Sequence, residues 1–188
     1  MPRHRPRLAP AVLLLALAAY LPLAQAAPPA EPAPSREHLA PAGWENAYHR
    51  YHYSPVVKVG DMVIVSGIPA AVGDTYEARV RWMFEELKAH LAAAGASLAD
   101  VVEITTYHVQ PKDSKGFGEE FDRFAPIHAE YFRDHYPAWS AVGTTALMQD
   151  GAPVEMRAVA ILGSGRAPRA DIPVPATAPA EATSDGKD

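Results

Sequence analysis

Apolar and polar positions along the chain mark out a short succession of elements. Residues 48–53, Tyr-His-Arg-Tyr-His-Tyr, alternate with a period of two and predict a strand. Met62-Val63-Ile64-Val65 is a continuous apolar run ended by Ser66-Gly67, and Val59-Gly60-Asp61 ahead of it predicts a hairpin or near-hairpin. Tyr76, Val80, Met83, Phe84, Leu87 and Leu91 then recur at helical spacing. Asp74 stands three residues before Glu77 as a capping box, and Gly95 follows where a left-handed cap is expected. Residues 100–109 are rich in Val, Ile and Thr and read as a strand. Phe117, Phe121, Phe124, His128, Tyr131 and Phe132 mark a second helix that ends before Pro137. Residues 139–147 and 154–162 are strand-like, joined by a turn containing Asp150-Gly151.

The expected order is β-β-α-β-α-β-β, an α+β domain with both helices packed on one face of a single sheet. In the last strand Val154, Met156, Ala158 and Ala160 form the smoother set and belong against the helices. Glu155, Arg157, Val159 and Ile161 then point the other way. A bare face holding Val159 and Ile161 beside charged groups predicts self-association, with a stoichiometry the pattern does not set.

Outside this domain the composition changes. Arg3, Arg5 and Arg7, an apolar run over 11–23 and Ala24-Gln25-Ala26 have the layout of a secretory signal peptide over residues 1–26. The run is interrupted by Pro22 and falls short of the roughly 20 apolar residues that cross a bilayer, so no membrane contact is expected after cleavage. Residues 27–43 and 164–188 are dominated by Pro, Ala and polar residues and are expected to be a disordered linker and tail. One domain remains over residues 44–163. The chain has no cysteine, which excludes a disulfide or a thiolate nucleophile; with the leader, it points to a soluble periplasmic protein. Losing the leader removes three Arg and no acid and moves the formal charge from −5 to −8, a poor match to nucleic acid.

Eight histidines raise the question of metal. On a strand His49 and His52 face apart, and His128 and His135 are two helical turns, about 10 Å, from each other, so no metal site is expected. His128 on the apolar stripe reads as a core or interface residue. Neither a Gly-rich phosphate loop nor a Gly-x-Ser-x-Gly elbow is present.

Several segments resemble, in order and spacing, the Rid family, the reactive intermediate deaminase or YjgF-like proteins. They are Tyr53-Ser54-Pro55-Val56-Val57, Val63 to Pro69, Ala93 to Val102, Tyr131-Phe132, Pro137-Ala138-Trp139-Ser140-Ala141-Val142 and Val154-Glu155-Met156-Arg157-Ala158-Val159-Ala160. The resemblance implies a chorismate-mutase-like (YjgF-like) fold with one mixed sheet. It also implies a homotrimer with small-molecule clefts between subunits, and hydrolysis of enamines and imines to ketones and ammonia without a cofactor. By similarity Glu155 matches the carboxylate that places or activates water, Tyr53 the cleft tyrosine, and Ser66-Gly67 the cleft wall.

That set suits the chemistry, because an imine carbon is already electrophilic and needs a positioned water, a proton acceptor and a proton path to the amine. Trp139 departs from the family, whose deaminating members carry an Arg there to grip a substrate carboxylate. An indole lacks the charge and the bidentate fork, so the usual anionic substrate is expected to bind poorly. Trp139 is then either packing or a platform for an aromatic or apolar ligand. Arg157 shares the face of Glu155; it can point into the cleft, or pair with Glu155 or a neighbouring subunit, which its nearby carboxylate favours. Two functions follow as expectations: an exported Rid-like hydrolase of a small C=N compound, or a catalytically silent trimer that binds a metabolite or acts as a chaperone through the same clefts.

Overall fold

The computed structural model describes residues 35–173 and residue 175. The expected leader over 1–26, the first part of the expected linker and the end of the expected tail lie outside the described residues. Within them the elements are β1 Arg36–Leu39, α1 Glu45–Tyr51, β2 Val56–Val59, β3 Met62–Pro69, α2 Tyr76–Ala93, β4 Val101–His108, α3 Ser114–Tyr131, β5 Ala138–Gly143 and β6 Val154–Ile161. The strands form one six-stranded sheet in the order β1-β2-β3-β6-β4-β5. β4 and β5 run parallel and every other neighbouring pair is antiparallel, which makes the sheet mixed.

Two expectations at the start of the domain are corrected. Residues 48–53 are not a strand: α1 occupies Glu45–Tyr51 and ends at His52, whose φ of 60° is left-handed. The alternation there carries no burial signal, because Tyr48 and Tyr51 are exposed and Ala47 is the one buried residue of the helix. Glu45 in the first turn and His49 and Arg50 in the last complement the helix dipole. His49 therefore lies on α1 and His52 caps its C-terminal end, and the two do not alternate on a strand. The segment expected to be a linker also carries β1, paired with β2 from Arg36↔Val59 to Leu39↔Val56.

From β2 onward the pattern is met more closely. Gly60, at φ 58°, opens the two-residue turn between β2 and β3, where Val59 pairs with Met62. α2 starts one residue later than its expected cap, because Thr75 rather than Asp74 accepts the Ala78 N–H, at 3.1 Å. Its stripe Val80, Met83, Phe84, Leu87 and Leu91 packs with Phe124 and Ile127 of α3 against Val63, Val65, Ile68, Ile104, Val154, Met156, Ala158 and Ala160. Burying a side chain of this size contributes about 1.5–3 kcal/mol each, so this single layer between helices and sheet holds the domain. The small apolar set of β6 does face the helices. Glu155, Arg157, Val159 and Ile161 lie on the opposite face and are only partly covered.

Candidate functional site

The candidate site grows from a break in β3. Its register against β6 shifts between Val65 and Ile68, so Ser66 and Gly67 form an irregularity of the bulge type in an otherwise regular ladder. Ser66 uses both its donors to fasten the segment before β2: its N–H donates to the Pro55 carbonyl at 2.9 Å and its hydroxyl to the Ser54 carbonyl at 2.7 Å. From the other side, Nδ1 of His38 on β1 lies 2.7 Å from Ser54 Oγ. The Tyr53 N–H donates to Ala47 of α1 at 3.1 Å. Tyr53 is thus held by its own N–H and by the anchoring of Ser54 and Pro55 that follow it.

On β6, Glu155 sits between Pro69 of β3 and Tyr107 of β4. Its carboxyl group lies so close over Gly67 that a Cβ at that position would overlap Oε1. Partial burial raises the Glu155 pKa above the ordinary carboxylate value. Burial, and then the charge of Glu155, pushes the Tyr53 phenol up as well, which keeps it protonated and able to donate. Glu155 and Gly67 are therefore in contact, Ser66 adjoins Gly67 in the bulge, and Tyr53 stands within range of the Glu155 charge.

Arg157 is not part of that cluster as a free cation. Its Nη1 donates to Glu103 Oε1 at 3.1 Å in an exposed pair, so its partner is the β4 carboxylate rather than Glu155.

Trp139 lies on the other face of the sheet. It pairs with Ile104, which in turn pairs with Ala158, and both of those residues are buried under the helices. The indole runs along α3, stacked on His128 at 4.4 Å and 11° and on Phe121 at 5.1 Å and 24°. Its Nε1 donates to Thr106 Oγ1 at 3.0 Å. Burial lowers the His128 pKa, so the ring against the indole is a neutral imidazole.

Behind Thr106 stands a polar group that sequence reasoning missed. His108 Nε2 is 2.8 Å from Thr106 Oγ1, and its Nδ1 is 3.0 Å from Glu120 Oε1, to which Tyr76 also donates at 2.9 Å. A signal was available: Thr106 and His108 share the parity of Ile104 and so had to enter the core. A hollow of about 1280 Å³ is also on this side, between the start of α3 and the end of β5; Phe121 lines it and Glu155 does not.

In one chain, then, the Glu155 carboxyl lies on one face of the sheet and the Trp139 ring on the other. Among the described residues no group of three or more His, Asp or Glu is placed to hold a metal ion.

Residues 45–162 match the sequence profile of the family described as Endoribonuclease L-PSP. The chain is 32% identical over 118 residues to the RutC family protein YjgH of Escherichia coli K12, covering 60% of this chain and 86% of that one. It is 32% identical over 121 residues to a protein of Salmonella typhimurium LT2 named 2-iminobutanoate/2-iminopropanoate deaminase, covering 58% and 86%. Among solved structures, Rv2704 of Mycobacterium tuberculosis, a member of the YjgF/YER057c/UK114 family, superposes with a TM-score of 0.58 at 31% identity, covering 68% of this chain and all of that one. The YjgH structure gives 0.57 at 30% identity, covering 67% and 95%. With its mixed sheet, its helix layer and this extent of matched sequence, the chain belongs to the Rid/YjgF family, the family of the endoribonuclease L-PSP profile.

Proposed function

We propose that this protein is an exported hydrolase of C=N bonds that works as a homotrimer on a small imine without a carboxylate. The carrying observation is the half-buried Glu155 carboxyl held over Gly67 beside the protonated Tyr53 phenol. A water placed by Glu155 attacks the imine carbon while Glu155 takes its proton. Proton delivery to nitrogen by way of Tyr53 then lets the carbinolamine collapse to the carbonyl compound and ammonia. The name of the Salmonella relative supports this reaction class.

The substrate preference follows from charge. No cation stands among Tyr53, Ser66, Gly67 and Glu155, Arg157 is engaged by Glu103, and Trp139 brings a neutral ring. A composite cleft also explains the split geometry. Glu155 and Trp139 face opposite ways in one chain, so one ligand touches both only where the Glu155 face of one copy meets the Trp139 edge of another. The partly covered Ile64, Val159 and Ile161 supply apolar surface for that contact. RNA is a weaker fit despite the family's ribonuclease title, because the chain is acidic.

A second reading, a silent trimer that binds a neutral metabolite or acts as a chaperone through the same clefts, is favoured by the missing cation. Generating 2-iminobutyrate and the uncharged imine of acetophenone in place, and following their loss, separates the two. The hydrolase reading expects faster loss of the neutral imine, abolished in Glu155→Gln. No acceleration of either imine leaves the binding reading.

A further inference from the structure

The buried polar residues behind Trp139 form one hydrogen-bonded string whose donors and acceptors can be assigned. Trp139 Nε1 can only donate, so Thr106 Oγ1 accepts from it at 3.0 Å and keeps its own hydrogen for His108 Nε2 at 2.8 Å. His108 then carries its hydrogen on Nδ1 and donates to Glu120 Oε1 at 3.0 Å, the oxygen that also accepts from Tyr76 at 2.9 Å. Thr106 and His108 are wholly buried and Glu120 nearly so.

With Nδ1 donating and Nε2 accepting, each contact along the string joins a donor to an acceptor, while the second carboxyl oxygen of Glu120, Oε2, is buried without a partner. The string therefore runs one way, and it ends on the indole. Three buried polar side chains in a largely apolar core cost stability that their mutual hydrogen bonds only partly offset, so their presence calls for a role.

We propose that Thr106 and His108, braced by Glu120 and Tyr76, are positioning residues that lock the Trp139 ring along α3 and so make it a rigid wall for a flat, uncharged ligand. The locking stands on the geometry alone; the ligand half rests on the composite cleft proposed above. A ring stacked on Phe121 and His128, with Phe124 tilted against it, has packing on its face, whereas the hydrogen bond to Nε1 selects one of the two flips of the indole about its Cβ–Cγ bond. Phe121 carries the effect to the large hollow that it lines. A fixed aromatic surface binds a planar group with less ordering entropy than a mobile one.

The test uses the oligomer after leader removal, with its three tryptophan indoles labelled with ¹⁵N and the Trp139 signal identified by its absence in Trp139→Phe. In Thr106→Val the Trp139 N–H should lose its acceptor, shift, and exchange with solvent about tenfold faster, the size expected for one lost hydrogen bond. Thr106→Ser should restore it, Tyr76→Phe should shift it in the same direction by less, and Trp44 and Trp82 should stay in place. Affinity for benzamide, a flat uncharged probe, should fall about tenfold in Thr106→Val and recover in Thr106→Ser. An unmoved Trp139 signal in Thr106→Val, or equal movement of all three indoles, overturns the locking. A moved signal with benzamide affinity within twofold, or no benzamide binding by the native protein, overturns the ligand half and the cleft reading with it.

Discussion

Gly67 and Glu155 occupy a space that admits only one side chain: the Glu155 carboxyl fills the position a Cβ on Gly67 would take. The contact explains why the break in β3 carries a glycine at a point where its φ is not left-handed. Gly67→Ala should push the carboxyl off the site while leaving the core intact. Displacements of about 1 Å at a reacting group cost on the order of a hundredfold, so kcat/KM for imine loss should fall by about that factor. Circular dichroism unchanged from the native protein would place the loss at the site.

The pH dependence of Glu155 has a definite sign. Its pKa is raised by partial burial, so the folded protein holds this proton more tightly than the unfolded chain, and its contribution to stability falls as pH rises from 4.5 through the raised value. Glu155→Gln should therefore unfold at a higher temperature than the native protein at pH 7 and at nearly the same temperature at pH 4, measured at one protein concentration. The acid limb of the native pH–rate profile should lie above 4.5, because the carboxylate form is the proton acceptor.

Trp139 is expected to matter for stability as well as for ligand choice. Replacing it with Ala removes a ring packed against three side chains of α3, stacked on two of them, and takes away the donor to Thr106. Because the ring is only part-buried, the cost should fall near the low end for a large aromatic, about 3 kcal/mol, read from urea unfolding. Trp139→Arg should lose a similar amount but narrow the gap between the neutral and the anionic imine, since a guanidinium returns charge to the position.

The Arg157–Glu103 pair should contribute little. Both side chains are substantially exposed at a distance of 3.1 Å, and exposed pairs couple by about 0.2–1 kcal/mol. A double-mutant cycle with Arg157→Ala and Glu103→Ala should return a value in that range and shrink it further at high salt.

Export is open to a direct check. Intact mass of the protein recovered from a Gram-negative periplasm should begin at Ala27, whereas a product retaining Met1 would contradict processing.

Much of the sheet was legible because its buried face repeats with period two. Val154, Met156, Ala158 and Ala160 announced both β6 and the side on which the helices lie. The start of the domain was not, since α1 buries only Ala47 and β1 has three exposed residues of four, so neither writes a hydrophobic pattern into the sequence. For the site, resemblance pointed to Tyr53, Ser66, Gly67 and Glu155, and among these the structure sets Glu155 against Gly67. The side to which Trp139 turns was missed, although its neighbour Ile104 fixes it, because strand parity says nothing about registry between strands far apart in sequence. The string behind it depends on α3 bringing Glu120 under His108, a tertiary meeting that no local pattern encodes.

Subunit complementation tests the composite cleft most directly. Glu155→Gln and Trp139→Ala chains, each expected to be weak alone, are unfolded together, refolded as mixed oligomers and assayed for loss of the acetophenone imine. Some mixed clefts then combine an intact Glu155 with an intact Trp139 from different copies, and activity should rise well above the average of the two parents. Activity equal to that average, in oligomers shown to be mixed by native mass spectrometry, would contradict a cleft built from two chains.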